Sequence, residues 1–305
     1  MNMVEPRHFA GLRGNLTLDA PLARYTSWRA GGCADVAYVP ADREDLALFL
    51  RQLPIFEAVT VLGLGSNVLV RDGGVRGAVI LLHNPGGALA VADGLIYADA
   101  GVACPKLARF AARHGCAEAE FLAGVPGTIG GALAMNAGCY GQETWPHVAK
   151  VELLLRDGSF TVRTPADYTI GYRSVKRADG RPAEGIFTAA WFRFPPGDGE
   201  ASRLRIRELL ARRIATQPLN LPNAGSVFRN PPDDYAARLI ESAGLKGVAI
   251  GGARVSEKHA NFIVNAERLA KAADIEALIE RVRRTVAAKS GVTLELEVQI
   301  IGEAA

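Results

Sequence analysis

Gly63-Leu64-Gly65-Ser66-Asn67-Val68-Leu69-Val70 and Ala123-Gly124-Val125-Pro126-Gly127-Thr128-Ile129-Gly130-Gly131-Ala132-Leu133-Ala134-Met135-Asn136-Ala137-Gly138 are the two stretches on which the fold turns. In the first, an apolar strand enters a glycine loop and a second strand leaves it, with no helical pattern after it. That excludes the usual dinucleotide fingerprint, whose glycines open a helix so that its N-terminus meets a pyrophosphate. What such a loop offers is a run of exposed N–H groups beside the side chains of Ser66 and Asn67, an anion-binding nest. The same Gly-Ser-Asn is also ordinary turn chemistry. In the second stretch, Gly124, Gly127, Gly130, Gly131 and Gly138 stand among small apolar residues. That composition lets backbone approach a flat or phosphorylated ligand. It serves close packing between elements equally well, although Thr128 and Asn136 add polar groups.

Outward from these loops, periodicity predicts strands at 34–39, 59–62, 68–70 and 78–82 and a helix at 42–53, a small α+β unit after an irregular opening. A second unit follows: a strand at 95–100, a helix from Pro105 to His114 closed by Gly115, and strands at 148–156, 160–163 and 187–194. Asp157-Gly158 marks a hairpin between the first two of those later strands. Pro195-Pro196-Gly197-Asp198-Gly199 reads as a linker. Beyond it come a basic helix at 201–215, a helix at 235–243, strands at 248–250 and 262–264, an amphipathic helix at 273–289 and a last strand at 293–301. Ile275, Leu278, Ile279, Val282 and Val286 keep the helical spacing and are expected to be core. The division expected is 1–85, 86–197 and 198–305.

Composition narrows the function classes. Over 305 residues, hydrophobic residues make up 49% and charged residues 22%, the balance of a globular protein with ample core. Thirty-five Lys+Arg against 32 Asp+Glu leave +3, with no long run of either sign, so neither nucleic acid nor a membrane surface is expected as a partner. Cys33, Cys104, Cys116 and Cys139 form no CxxC pair and are expected as buried free thiols in a reducing cytoplasm. Glu5, Arg7, His8 and Arg13 precede any apolar run, so nothing marks the N-terminus for export. His8, His83, His114 and His147 share no metal-ligand spacing with one another or with the cysteines, and no metal is expected.

Taken together, Gly-x-Gly-Ser-Asn and Gly-x-Pro-Gly-x-x-Gly-Gly resemble the flavin-binding domain of the vanillyl-alcohol-oxidase (PCMH) type, in which two such loops hold the FAD pyrophosphate between two α+β subdomains. Tyr25-Thr26-Ser27-Trp28-Arg29-Ala30-Gly31-Gly32 resembles the segment before the first strand there. Further motifs are Ile170-Gly171-Tyr172-Arg173-Ser174, Asn223 to Pro231 with its Ala-Gly-Ser-Val-Phe, Gly251 to Phe262 with its Ser-Glu-Lys-His-Ala-Asn, and Leu296-Glu297-Val298. In this order they resemble the UDP-N-acetylenolpyruvoylglucosamine reductase family. Only about a dozen residues separate Arg173 from the strand near 186, which is similar to the family's shorter type, lacking the substrate-covering tyrosine loop.

The resemblance implies an α+β fold with a two-subdomain FAD-binding domain and a smaller C-terminal domain for the UDP-sugar. It also implies noncovalent FAD, NADPH as co-substrate, and reduction of UDP-N-acetylglucosamine enolpyruvate to UDP-N-acetylmuramate in peptidoglycan precursor synthesis, by a monomer. Cofactor contacts are implied for Gly63, Gly65, Ser66, Asn67, Gly124, Val125, Pro126, Gly127, Thr128, Ile129, Gly130, Gly131, Asn136, Ala137 and Gly138. Arg173, Ser226 and Glu297 are implied as catalytic, and Tyr172, Asn230, Lys258, His259 and Asn261 as substrate-binding. Physical chemistry agrees on the types. Hydride addition to an enol ether conjugated to a carboxylate develops negative charge, which needs a fixed cation, and the neighbouring carbon needs a proton. An arginine fork suits a carboxylate; an isolated arginine more commonly makes a surface salt bridge. Alternation along the strand does not choose between Glu295 and Glu297; the family match picks Glu297. Lys258 and His259 fit solvated turn residues equally well. The rivals are a flavin oxidase of the same fold and a non-catalytic flavin module, and the latter has no need of Arg173, Ser226 and Glu297 together.

Overall fold

The computed structural model describes residues 9–84 and 86–305; Glu5, Arg7 and His8, weighed above, lie outside them. The first unit contains β1 (Asn15–Pro21), β2 (Cys33–Val39), α1 (Arg43–Gln52), β3 (Val59–Leu62), β4 (Val68–Val70) and β5 (Val75–Leu81). Four of these strands form a sheet in the order β1-β2-β5-β3, with β1 antiparallel to β2 and the other pairs parallel. Helix α1 starts where the Asp42 carboxylate accepts the Asp45 N–H at 2.9 Å, with Glu44 and Asp45 in the positively polarised first turn. Its Leu46, Phe49 and Leu50 are buried against Val36, Tyr38, Ala78 and Ile80 of the sheet. The irregular opening expected from the sequence is in fact the edge strand β1. It is held by its ladder to β2 and buries only Ala20 fully, so its hydropathy carried no signal.

The second unit comprises β6 (Leu89–Ala92), β7 (Leu95–Asp99), α2 (Cys104–Arg113), α3 (Ile129–Met135), β8 (Gly138–Cys139), β9 (Gln142–Glu143), β10 (Val148–Leu154), β11 (Phe160–Arg163), β12 (Tyr168–Gly171), β13 (Ser174–Arg177) and β14 (Ile186–Phe192). An antiparallel sheet runs β11-β10-β14-β7-β6. Asp157-Gly158 makes the expected hairpin turn, where Gly158 has φ 81° and donates to Leu155 O at 3.0 Å. Residues from α2, α3, β7, β10 and β14 share one core. Helix α3, inside the glycine-rich stretch, was not expected; Thr128 starts it by accepting the Gly131 N–H at 3.3 Å.

The basic helix, α4 (Gly199–Thr216), was expected to open the C-terminal unit. Instead Ile206 lies in the core of the second unit with Leu210 against it. Tyr140 Oη donates to Leu209 O at 2.7 Å, and Ser202 Oγ donates to Cys116 O at 3.2 Å. Nor is 195–199 a free linker: Ala117 N donates to Pro195 O at 2.9 Å, and Gly197 N to Gly115 O at 2.7 Å.

After α4 come α5 (Ala236–Ser242), β15 (Ala249–Ile250), β16 (Ala253–Val255), β17 (Ile263–Val264), α6 (Ala272–Ser290) and β18 (Gln299–Ile301). Ile275, Leu278, Ile279, Val282 and Val286 are buried together, as their spacing predicts. Trp28 and Leu69 of the first unit enter the same core. Trp28 Nε1 donates to Ile263 O at 2.7 Å and its carbonyl accepts from Asn265 Nδ2 at 2.9 Å, so this fully buried ring bolts the two units together. Asp72 caps α6, accepting the N–H groups of Ala272 and Ala273, both at 2.9 Å. The expected last strand, 293–301, is regular only over β18, which pairs in parallel with β4 of the first unit. Upstream of β18 the backbone bonds instead with residues 227–229, through Arg229 N to Glu295 O and Glu297 N to Val227 O, both at 2.9 Å. Among the described residues no helix is long and apolar enough to cross a membrane.

Candidate active site

Two adjoining cavities open where the three units meet. The smaller, about 370 Å³, is lined by residues 63–68 and 124–128, by the α3 end and the 137–139 segment, and by Arg173, Arg213, Gln217, Gly225, Ser226, Phe262, Glu297 and Gln299. The larger, about 590 Å³, lies between Val61 and Leu82 on one side and Arg173 to Phe187 on the other, with Gly130, Lys176 and Pro182 in its wall. Gly63, Thr128, Gly131 and Arg173 line both. The volumes fall in the range of small-molecule sites, roughly 300–1,000 Å³.

The two glycine stretches face each other across this junction. A Cβ at Gly63 would stand 2.4 Å from Thr128 Oγ1, so the loops touch there without a side chain between them. Gly65 has φ 60° and passes against Tyr25, whose carbonyl would meet a Cβ at 2.0 Å. Among the described residues the backbone N–H groups of Leu64, Gly65, Ser66 and Asn67 donate to no protein acceptor. Orphan donors grouped at a cavity wall fit an anionic ligand, and a pyrophosphate satisfies several at once.

Arg173 sits at φ 53° in the turn between β12 and β13. Its Nε donates to Glu297 Oε1 at 2.7 Å, Nη2 to Gly138 O at 3.1 Å and Nη1 to Asn136 O at 3.4 Å. Of five guanidinium N–H donors, two remain. The pair is partly buried, with side-chain exposures of 14% and 16%, which protects it from solvent screening. Glu297 is fixed from three directions, since its N–H donates to Val227 O and its carbonyl accepts from Asn67 Nδ2 at 3.1 Å. The same backbone pairing puts Ser226 next to Glu297. Asn223 turns the chain there by accepting the Gly225 N–H at 2.9 Å, and Gly225 has φ 75°. Among the described residues the Ser226 hydroxyl has no hydrogen-bond partner.

Other expected site residues are engaged elsewhere. Ile129 is buried in the second core and its N–H goes to Val102 O, so it lines neither cavity. Asn136 is fully buried and spends its amide on Glu143, Gly171 and Trp145. Asn67 lines the cavity, but its amide nitrogen is turned to Glu297. Tyr172, Asn230, Lys258, His259 and Asn261 lie outside the lining of both cavities. Tyr172 is an exposed ring under the Arg173 guanidinium, 4.9 Å away. Asn230 accepts the Ala236 N–H at the start of α5, and Lys258 Nζ donates to Ile214 O at the end of α4. His259 packs on Phe262 at 4.7 Å, and burial pulls its pKa down. Asn261 donates to Phe228 O at 2.8 Å and accepts the Phe228 N–H at 3.0 Å, bracing the segment that carries Ser226.

The lining also holds residues that the sequence did not single out, Arg213 and Cys139 among them. Arg213, on the inward face of α4, donates from Nε to Gln217 Oε1 at 2.7 Å and from Nη1 to Gly124 O. Burial pulls its pKa down, Cys139 and Tyr140 opposing the shift, yet a guanidinium stays charged. Ile206, Leu210, Arg213 and Gln217 follow helical spacing, and extending that stripe would have pointed Arg213 inward. Cys139 lines the cavity too, its thiol pushed up by burial against the opposing pull of Arg213 and Arg173. All four cysteines are free, but of the burial expected only Cys104 shows it: Cys33 is exposed, and Cys116 and Cys139 are half-buried.

Comparison with known proteins fits this geometry. Residues 34–163 match the model of an FAD binding domain, and residues 217–301 match that of the UDP-N-acetylenolpyruvoylglucosamine reductase C-terminal domain. The UDP-N-acetylenolpyruvoylglucosamine reductase of Thiobacillus denitrificans is 56% identical, over 96% of this chain and 94% of that one. The chain belongs to the UDP-N-acetylenolpyruvoylglucosamine reductase family. The reductase of Legionella pneumophila strain Paris is 50% identical, over 99% of this chain and 98% of its own. The crystal structure of the Thermus caldophilus UDP-N-acetylenolpyruvylglucosamine reductase superposes with a TM-score of 0.78 at 34% identity, covering 95% of this chain and all of that one. For this reductase family member the expected α+β fold, with its FAD-binding domain and C-terminal domain, is the fold observed.

Proposed function

We propose that this chain is an FAD-containing oxidoreductase that uses NADPH to reduce UDP-N-acetylglucosamine enolpyruvate to UDP-N-acetylmuramate, a step in making peptidoglycan precursors in the cytoplasm. The observation that carries the reading is the meeting of Arg173, Glu297 and Ser226 at one cavity whose wall the pair of glycine loops also forms. FAD fits that wall: the orphan N–H groups of residues 64–67 would hold its pyrophosphate, and the glycines at 63 and 127 leave room for backbone approach. When bound, FAD supplies hydride transfer from NADPH to the enolpyruvyl C3.

Addition at C3 drives the electron pair of the double bond onto C2 and its carboxylate. Arg173 is the fixed cation for that charge, held by Glu297 and two carbonyls with two N–H donors to spare. Preorganisation of this kind costs no reorientation during the reaction. Ser226 gives its hydroxyl proton to C2, and water replaces it. Arg213, held by Gln217 on the wall beside the 124–128 loop, adds a second, half-buried cation for an anionic substrate group. We further propose unit boundaries near 86 and 217, because α4 packs with the second unit, and a monomer as the working state.

The two half-reactions separate the roles. Ser226→Ala should bleach the flavin with NADPH at a near-normal rate, while reoxidation by the enolpyruvyl substrate falls by about 10²–10⁴-fold, the usual worth of a positioned general acid. Glu297→Gln should share that asymmetry. Stopped-flow absorbance reads each step, and equal slowing of both by Ser226→Ala would make the serine structural.

A further inference from the structure

Asn136 ends α3 in the left-handed region at φ 42°, a conformation that suits glycine and asparagine and strains other side chains. It is fully buried, so its amide must find partners within the protein. Nδ2 donates to Glu143 Oε2 at 2.8 Å and to Gly171 O at 3.1 Å, while Oδ1 accepts the Trp145 N–H at 3.1 Å. Its own carbonyl accepts from Arg173 Nη1 at 3.4 Å. Gly171 is the last residue of β12, two positions before Arg173, which itself stands at φ 53°. The turn between them carries Tyr172, an exposed ring whose face meets the Arg173 guanidinium.

The geometry assigns Asn136 as a positioning residue for Arg173: one side chain grips the strand end before the turn while its carbonyl steadies the guanidinium. This rests on the reading of Arg173 as the cation that meets the substrate carboxylate. A plain helix-ending role is the rival, and it predicts a different outcome, because glycine fills the left-handed position equally well but has no amide. Asn136→Asp keeps the shape and the acceptor for Trp145 while losing both donors and setting a carboxylate against Glu143.

The test uses full-length, flavin-loaded protein. Asn136→Gly and Asn136→Asp should be reduced by NADPH at near the native rate. Reoxidation by the enolpyruvyl substrate should fall on the order of 10²-fold with a raised KM, the cost of misplacing a catalytic group by about 1 Å. In the Arg173→Ala background, Asn136→Gly should cost nothing further in reoxidation, since both changes remove one function. If Arg173→Ala leaves reoxidation untouched, the reading of Arg173 fails. If Arg173→Ala slows it and Asn136→Gly does not, the positioning role fails alone. Additive losses in the double variant, or equal loss of both half-reactions with released flavin, would reduce Asn136 to a structural support. Should Asn136→Asp not fold, the glycine variant decides.

Discussion

Gly63→Ala puts the contact between the two loops to a quantitative test. The new methyl would stand 2.4 Å from Thr128 Oγ1, 3.2 Å from its Cγ2 and 3.3 Å from its Cβ. Thr128 cannot easily turn aside, because it is 2% exposed and its hydroxyl caps α3 through Gly131 N. Forcing a methylene into packed surroundings costs about 1–3 kcal/mol, and losing the cap about 1 kcal/mol more, so a loss of about 2–4 kcal/mol is expected. Heating with flavin fluorescence as the readout should show earlier flavin release, and titration of the apoprotein should show weaker FAD binding. Thr128→Ala alone should cost only the cap, about 1 kcal/mol. It removes the two closest atoms, so Gly63→Ala/Thr128→Ala should be more stable than Gly63→Ala, a sign change that only direct contact produces. Native flavin affinity and melting in Gly63→Ala, or simple additivity in the double variant, would refute the contact.

Stability should also depend on pH through two half-buried histidines. His147, packed against Phe121 and Phe194, and His259 both have pKa values pulled below the ordinary range by burial. Below the unfolded value of about 6.5 the unfolded chain binds more protons than the native one, so their contribution is full above that pH and is lost as pH falls through it. Urea midpoints should fall between about pH 7 and pH 5, and His147→Phe should flatten the slope; an unchanged slope would count against the burial argument. A fragment ending at Phe194 should fail to give a stable flavin protein, because β4 loses β18 and Trp28 loses Ile263. Size-exclusion and flavin content of that fragment measure this, and a compact yellow product would contradict it.

Most of the regular elements were legible because their signals are local. Asp42 before an apolar stripe, Pro105 and Gly115 around α2, and Asp157-Gly158 between two strands each fix a backbone conformation by themselves. Helix α3 was hidden because Gly130 and Gly131 lower helix propensity and erase periodicity, leaving Thr128 as its sole start signal. Motif alone singled out the proposed catalytic residues Arg173, Ser226 and Glu297, and all three line one cavity. The asparagines were not. An asparagine advertises two donors and an acceptor, not their destination, and Asn67, Asn136 and Asn261 aim theirs at the protein backbone. Arg213 failed for the opposite reason: among Arg203, Arg205, Arg207 and Arg212 it looks like one more solvated charge, and only its place on the inward stripe distinguishes it.

The parallel pairing of β18 with β4 has a consequence for biosynthesis. Residues 68–70 leave the ribosome long before residues 299–301, so the nascent first unit carries an open, wholly apolar Val-Leu-Val edge until those residues emerge. An exposed apolar edge invites strand addition by other chains. Stretching this closure across the length of the polypeptide also slows folding, since distant segments must meet before their contacts reward the lost freedom. The β4–β18 pairing therefore closes only after residues 299–301 have left the ribosome, and chaperone occupancy of the nascent chain should persist until β18 emerges.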